Sequence, residues 1–263
     1  MDLAFSLAGL VVGLAVGATG VGGGSLMTPI LILFYGISPS VAVGTDLIYA
    51  SISKAFGVTL HSRNGSLDWK LVGWLSIGSV PAALLTLVFL HEQAPGKGLD
   101  QMIKLTLSVA IVLTALFTVF QDRIMALIRR APGRAGGTED SRWQRPMTVV
   151  SGVAIGALVT ISSVGAGVIG MMMLLLLYPK QSPIRLVGSD LAHAVLITAI
   201  AGAGHASLGS VDWPMLGALL IGAIPGIYIG TRIGFRLDPK ALKKVISALL
   251  IFVGSTMLWK AMH

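Results

Sequence analysis

The chain has 263 residues, of which 54% are hydrophobic and 11% charged, with a formal net charge of +8 and no cysteine. Because a soluble domain carries about 25% charged residues, a mean hydropathy of +0.86 indicates a polytopic α-helical membrane protein. The lack of cysteine excludes disulfides, thiolate metal sites and a cysteine nucleophile. We attribute the excess positive charge to cytoplasmic loops rather than to nucleic acid binding.

Ten apolar helical segments are predicted along the chain, five in each half. They cover about 3–18, 24–35, 40–60, 70–90 and 101–120, then about 148–163, 167–178, 185–204, 213–231 and 241–260. The first two segments of each half are short, because twelve helical residues span about 18 Å and the hydrocarbon core is about 30 Å thick. Two interpretations of each short pair stay open: two half-helices that meet at mid-depth, or two full spans. A pair of half-helices would return the chain to the side on which it started. Two full spans would return the chain to the same side.

A Gly-rich sequence, Thr19-Gly20-Val21-Gly22-Gly23-Gly24-Ser25, separates the first two segments. Each glycine costs a helix about 1 kcal/mol relative to alanine, so the helix is expected to break here. Irregular backbone at membrane depth is tolerated only inside protein or beside a wet cavity. The N–H groups at the start of the next helix are suited to holding an anion. A tight helical hairpin without a ligand is the alternative.

The chain matches itself after a shift of 144 residues. Gly44-Thr45-Asp46-Leu47 then meets Gly188-Ser189-Asp190-Leu191, and 18 of the 44 residues in 38–81 are identical to their counterparts. The Gly-rich break of the first half meets Ser162-Ser163-Val164-Gly165-Ala166-Gly167-Val168 in the second. We therefore predict two related units, a first half at 1–121 and a second half at 147–263, joined by a linker at 122–146.

The linker contains six arginines, which predicts that it is cytoplasmic by the positive-inside rule. Counting segments back from the linker places the N-terminus outside. Because each half has an odd number of segments, the two halves are expected to face opposite ways across the membrane. Such inverted repeats are typical of secondary transporters.

Two carboxylates lie inside predicted helices, Asp46 in the third segment and Asp190 in the eighth. Each costs about 2.5–3.5 kcal/mol on insertion scales if it is ionised, so each needs a partner or a function. Two interpretations stay open: capping of N–H groups freed at the breaks, or direct handling of substrate or protons. Thr45 and Ser189 precede the carboxylates and offer hydroxyls.

Four other polar residues are candidates for handling protons or anions, or for structural roles. Tyr49 and His193 follow the carboxylates by three residues and share their helix faces; His193 is interpreted as a proton relay or a packing residue. Lys54, toward the cytoplasmic end of its helix, is expected to snorkel to the membrane surface, with attraction of an anion as the alternative. His205 is interpreted as a helix C-terminal residue that interacts favourably with the helix dipole.

The sequence contains none of the motifs His-Glu-x-x-His, Gly-x-Ser-x-Gly or Gly-x-x-x-x-Gly-Lys-Ser/Thr. Its five histidines are not spaced as metal or haem ligands. We therefore predict that the protein is not an enzyme and holds no metal or other cofactor.

Three motifs together resemble the sulfite exporter TauE/SafE family, also called the toluene sulfonate uptake permease family. They are the Gly-rich run at 20–25 followed by Pro29, Ala42-Val43-Gly44-Thr45-Asp46-Leu47, and Gly65-Ser66-Leu67-Asp68-Trp69. The similarity covers nearly the whole chain. It implies a bacterial or archaeal inner-membrane transporter of sulfur-containing anions such as sulfite, sulfonates or sulfoacetate, and it does not fix the direction of transport. The second copies of the motifs fall on 163–167 and 188–190. In the first of these ranges Ala166 stands where the first half has Gly22.

The sequence thus predicts an all-α secondary transporter that moves such an anion across the lipid bilayer by alternating access. A proton is a candidate coupling ion, and the sequence is compatible with a homo-oligomer, but it identifies neither the coupling ion nor the oligomeric state. The alternatives are transport of another small anion or zwitterion, or an intramembrane enzyme or non-transporting subunit. The predicted substrate-binding residues are Gly20, Gly22, Gly23, Gly24, Ser25, Thr45, Asp46, Ser162, Ser163, Gly165, Gly167, Ser189 and Asp190. Asp190, His193, Lys54 and Tyr49 are the candidates for proton or anion handling.

Overall fold

The computed structural model describes residues 3–19, 24–63, 67–93, 96–130, 143–234 and 239–262, and these form ten helices. The helices are α1 (Leu3–Thr19), α2 (Gly24–Tyr35), α3 (Pro39–Arg63), α4 (Trp69–Glu92), α5 (Lys97–Arg130), α6 (Gln144–Ser162), α7 (Val168–Leu177), α8 (Pro183–Ser207), α9 (Trp213–Gly234) and α10 (Pro239–Met262). Five of them are long and apolar enough to cross a membrane, and shorter apolar helices accompany them. The prediction of a polytopic α-helical membrane protein is confirmed.

Large apolar side chains on the outer surface agree with a lipid environment. Phe34, Leu85 and Phe252 are 64–71% exposed, whereas a soluble protein rarely exposes contiguous apolar patches larger than a few hundred Å². Trp69 and Trp143 are also exposed, next to the starts of α4 and α6. Tryptophan is enriched at the level of the lipid headgroups, so these side chains fit an anchoring role at the membrane surface.

Helix boundaries agree closely with the predicted segments, and local capping explains several of them. Asp68 caps α4 by accepting hydrogen bonds from the backbone N–H groups of Lys70 and Leu71. Ser182 caps α8 by accepting one from Arg185. The largest difference is α5, which continues to Arg130 instead of ending near residue 120, because apolar residues still recur among the arginines of the predicted linker.

Glycines allow two pairs of helices to pack backbone against backbone. A β-carbon at Gly13 of α1 would lie 2.6 Å from the carbonyl oxygen of Ala223 in α9. In the same way, a β-carbon at Gly156 of α6 would lie 2.3 Å from the carbonyl oxygen of Ser79 in α4. The neighbouring glycine contacts advance in the same direction on both partners, so each pair runs parallel. Close approach of this kind is how membrane helices associate through small residues.

Helices α3 and α8 cross at the centre of the fold and run antiparallel. The Ser51 hydroxyl donates a hydrogen bond to the carbonyl oxygen of Val195 at 3.3 Å. A β-carbon at Gly202, toward the end of α8, would contact Ile48, which lies nearer the start of α3. The candidate site lies beside this crossing.

Candidate functional site

The second break turns the chain sharply between α6 and α7. Ser163, Gly165 and Gly167 have φ values of 58°, 117° and 126°, and glycine adopts this region without the steric cost of a β-carbon. The Ser162 hydroxyl donates to the carbonyl oxygen of Leu158 at 2.7 Å and accepts from the backbone N–H of Val164 at 3.2 Å. Ser162 therefore supports the turn itself.

Helix α7 starts at Val168 without a side-chain cap on its first N–H groups. Gly170, in the first turn, lies directly against the carboxylate of Asp190, because a β-carbon there would be 2.2 Å from Oδ1. A carboxylate near a helix N-terminus is stabilised by the helix dipole. Asp190 thus reaches from α8 to the short helix that follows the break.

Asp46 makes the related contact in the first half. Its side chain is fully buried, and Oδ2 accepts a short hydrogen bond from the hydroxyl of Thr28 in α2. Each carboxylate therefore contacts the short helix of its own half, and the bracing role of Asp46 stays a prediction. Thr28 was missed at the sequence level, because a single threonine in an apolar helix carries no recognisable signal.

Lys54 does not reach the membrane surface, so the prediction of snorkelling is wrong. Its side chain is only 4% exposed, and Nζ donates a hydrogen bond of 2.9 Å to the carbonyl oxygen of Ala166 in the second break. It also interacts electrostatically with Asp46 and Asp190. The lysine takes this position because its helix face points toward the break, whose irregular backbone offers a carbonyl oxygen.

Several buried polar atoms near this lysine have no hydrogen-bond partner among the described residues. They are Asp46 Oδ1, Tyr49 OH, Ser53 Oγ, Ser163 Oγ, Asp190 Oδ1 and His193 Nδ1. Ser163 lies near the Asp46 carboxylate and Ser53 near Tyr49, but neither pair has the geometry of a hydrogen bond. Unsatisfied buried polar atoms are expensive and rare in native proteins, so such a concentration marks a candidate ligand-binding site.

Two histidines connect α8 to neighbouring helices. His193 is fully buried, and its Nε2 lies 2.8 Å from the Ser79 hydroxyl of α4. His205 is in the last turn of α8, as predicted, but it is buried and its Nε2 lies 2.9 Å from the carbonyl oxygen of Thr160 in α6. Its interpretation as a residue that serves the helix dipole beside a loop is therefore corrected to a contact between helices.

The hydroxyls of Thr45 and Ser189 face away from the buried carboxylates and toward loops. Thr45 Oγ1 accepts a hydrogen bond from the backbone N–H of Asp212 at 3.1 Å. Ser189 Oγ accepts one from the backbone N–H of Asp68 at 2.8 Å. Each hydroxyl thus joins its own half to the loop that precedes a helix of the other half.

Part of the predicted first break lies outside the described residues. This applies to Gly20, Gly22 and Gly23. Gly24 and Ser25 form the start of α2. The site is therefore built from the second break, α2, α3 and α8.

Comparisons with known proteins give matches along nearly the whole chain. The family model described as "Sulfite exporter TauE/SafE" matches residues 5–257. The probable membrane transporter protein YjnA of Bacillus subtilis (strain 168) is 37% identical over 97% of this chain and 98% of its own length. The probable membrane transporter protein MJ0441 of the archaeon Methanocaldococcus jannaschii is 24% identical, over 96% of this chain and 93% of its own length. No solved structure matches the chain significantly.

These matches run nearly from end to end, and the relatives are named as membrane transporters rather than enzymes. Together with the membrane-spanning helices, they identify a multi-pass transporter with bacterial and archaeal relatives. The chain therefore belongs to the sulfite exporter TauE/SafE family of membrane transporters.

Proposed function

We propose that the protein is a secondary transporter that carries a small sulfur-containing anion, bound beside the α3–α8 crossing, by alternating access. One observation carries the proposal: Lys54, buried against the second break, lies among polar atoms that have no partner in the described structure. A buried ammonium and the uncapped start of α7 both favour negative charge. The family name supports sulfite or a related sulfur oxyanion as the substrate class.

An inverted arrangement of the two halves would allow the substrate site to open alternately to each side of the membrane. Corresponding helices α3 and α8 run antiparallel, whereas α1 packs parallel to α9 and α6 packs parallel to α4. Two units related by a twofold axis in the membrane plane have this pattern. In such transporters the substrate binds near mid-depth at the repeat interface, among discontinuous helices. We therefore assign the substrate to the break between α6 and α7 and to the corresponding glycines 20–24.

Not every residue selected from the sequence keeps a direct role in this proposal. Asp46, Ser163, Gly165, Gly167 and Asp190 remain around the anion. Thr45 and Ser189 instead join the halves through loops. Ser162 supports the turn.

A zwitterion is the second candidate, because the site holds charges of both signs. Lys54 would contact the acidic group of such a substrate and Asp190 its cationic group. A sulfur-containing example would carry a sulfonate and an amine. Liposome uptake measured with an aminosulfonate and with a simple sulfonate distinguishes a zwitterionic substrate from an anionic one.

The test is uptake of labelled sulfite, thiosulfate, a sulfonate and sulfate into liposomes that contain only this protein. We expect saturable uptake of at least one sulfur anion, and its loss in Gly167→Ala. Gly36→Ala is the matched control, because Gly36 also has a positive φ, of 65°, but lies outside the breaks, and it has no atom near its missing β-carbon. Absence of uptake for all four anions by folded protein would contradict the proposal, and so would wild-type uptake by Gly167→Ala.

A further inference from the structure

His193 and Ser79 form a pair of buried polar side chains between α8 and α4. The Nε2 atom of His193 lies 2.8 Å from the Ser79 hydroxyl oxygen, and both side chains are fully buried. His193 Nδ1 has no hydrogen-bond partner among the described residues. The Ser79 hydroxyl makes no other hydrogen bond within that part of the chain. The direction of this one hydrogen bond therefore decides whether Nδ1 presents a hydrogen or a lone pair to its surroundings.

The number of polar hydrogens in the pair assigns the tautomer of His193. If the Ser79 hydroxyl donates to Nε2, the only group left without a partner is the Nδ1–H donor. If Nε2–H donates to the hydroxyl instead, the serine hydrogen and the Nδ1 lone pair are both left over. A doubly protonated ring leaves two donors over. Because buried polar groups without partners cost free energy, the first arrangement is favoured, and His193 is a neutral donor through Nδ1.

His205, in the last turn of the same helix, has the opposite arrangement. Its Nε2 lies 2.9 Å from the carbonyl oxygen of Thr160. A carbonyl oxygen only accepts hydrogen bonds, so Nε2 carries the hydrogen and Nδ1 of the neutral ring has a lone pair. The two buried histidines of α8 therefore differ in tautomer, and His205 serves as an internal reference for His193.

The corresponding position in the first half also carries a polar hydrogen without an acceptor. The shift of 144 residues matches His193 with Tyr49 and Ser79 with Ala223. The Tyr49 side chain is fully buried, and its hydroxyl has no partner among the described residues. Ala223 has no hydrogen-bonding side chain. Both positions thus hold a buried donor, but only in the second half does a neighbouring hydroxyl fix the atom that donates.

His193 lies at the same depth as the proposed anion site. The Ser51 hydroxyl contacts the Val195 carbonyl oxygen, and α3 and α8 run antiparallel there. Lys54 follows Ser51 by three residues, so it is level with residues near 192 of α8. Asp190 is about one turn before His193 on the same face of α8. The free N–H of His193 is therefore close, along both central helices, to the ammonium and the carboxylate of the site.

We propose that the Ser79 hydroxyl is a positioning group that holds His193 in its Nδ1–H tautomer, and that this N–H donates a hydrogen bond to an oxygen of the bound anion. Because an N–H group only donates, this position selects an oxygen with a free lone pair, as in a deprotonated oxyanion, over a hydroxyl hydrogen or a cationic group. The tautomer rests on the contact between Ser79 and His193 alone, whereas the role as an anion ligand rests on the proposed function.

Nuclear magnetic resonance of the full-length protein in detergent, with isotope-labelled histidine nitrogens, tests the tautomer directly. Correlations between ring nitrogens and ring protons identify the protonated nitrogen, and the spectra of His193→Asn and His205→Asn assign the signals. We expect hydrogen at Nδ1 of His193 and at Nε2 of His205. Ser79→Ala should remove the preference of His193 for Nδ1–H. Ser76→Ala is the matched control, because the Ser76 hydroxyl donates to the Val72 carbonyl oxygen of its own helix.

Two variants of His193 separate the donor from the contact with Ser79. The amide of asparagine lies near the position of Nδ1, and that of glutamine reaches the position of Nε2. Binding of sulfite, thiosulfate, methanesulfonate and sulfate is measured by calorimetry beside thermal melting. We expect His193→Gln to lose at least about tenfold in anion affinity and His193→Asn to retain most of it. If His193→Gln binds anion better than His193→Asn, the pair serves packing alone and the donor role is excluded.

The spectra also separate this inference from the proposed function. A bound anion should shift the Nδ1 signal of His193 and leave the signals of His205 in place. Hydrogen at Nε2 or at both ring nitrogens of His193, an unchanged tautomer in Ser79→Ala, or an anion that binds without shifting the His193 signals would each overturn the inference and leave the proposed function standing. If none of the four anions binds, the proposed function and the donor role fail together, and the tautomer stands on the anion-free spectra.

Discussion

The hydroxyl oxygen of Thr45 accepts a hydrogen bond of 3.1 Å from the backbone N–H of Asp212. Ser189, which corresponds to Thr45, accepts one of 2.8 Å from the backbone N–H of Asp68, which corresponds to Asp212. The same contact thus occurs twice, each time between the two halves. Arg185 strengthens one copy, because its guanidinium lies 3.6 Å from the Asp68 carboxylate.

Replacing the Thr45 hydroxyl should therefore reduce stability and leave anion affinity unchanged. Thr45→Val keeps the shape but leaves the Asp212 N–H without its acceptor, which costs about 1–3 kcal/mol. Thermal melting and equilibrium anion binding of the purified variant measure the two effects. Thr86→Val is the control, because its hydroxyl bonds only within α4. A tenfold loss of anion affinity at unchanged stability would instead show that Thr45 contributes directly to the anion site.

The sequence predicts the helices well and the contacts of single side chains less well. Apolar runs, the Gly-rich breaks and the capping residue Asp68 act locally, so they mark helix boundaries within a few residues. Lys54 shows the limit: the length of its side chain suits both snorkelling and burial, and the outcome depends on which helix faces it. The interaction of His205 with Thr160 likewise depends on packing between distant helices.

Gly170 tests the contact between Asp190 and the first turn of α7. Gly170→Ala would place a β-carbon 2.2 Å from Asp190 Oδ1, so the carboxylate must move. We expect at least a tenfold loss of uptake, with helical content and monodispersity retained. Gly73→Ala is the matched control, because Gly73 is also in a helix and has open space around it. Equal uptake by the two variants would show that the position of Asp190 does not matter for transport.

The orientation of the protein is tested with single cysteines, since the natural chain has none. The arginines of the linker predict that a cysteine at Ser141 lies in the cytoplasm and that one at Ser207, near the end of α8, lies outside. An impermeant thiol reagent applied to intact cells should label Ser207→Cys only. Ser141, within the predicted linker, lies outside the described residues. Labelling of Ser141→Cys but not Ser207→Cys would reverse the proposed topology.

The two buried carboxylates are expected to respond differently to removal of their charge. With Asp46, Asp190 and Lys54 all ionised, the site carries one net negative charge, and an entering anion is repelled in a medium of low dielectric constant. A proton on one carboxylate removes part of that repulsion. Both carboxylates have an Oδ1 without a partner among the described residues. Asp190 is the better candidate for this proton, because Asp46 also accepts a hydrogen bond from Thr28 on its Oδ2.

Asparagine keeps the shape of aspartate but cannot take up a proton, so Asp190→Asn should bind the anion and lose the pH dependence of transport. Wild-type flux should rise as the pH falls. Asp46→Asn should lose stability and binding together, because the Thr28 hydroxyl then bonds to a neutral group. Flux of a sulfonate, whose own charge is constant over the range, is measured against pH beside thermal melting. Unchanged pH dependence in Asp190→Asn would exclude its proton role, and a stable Asp46→Asn that binds anion would exclude the bracing role of Asp46.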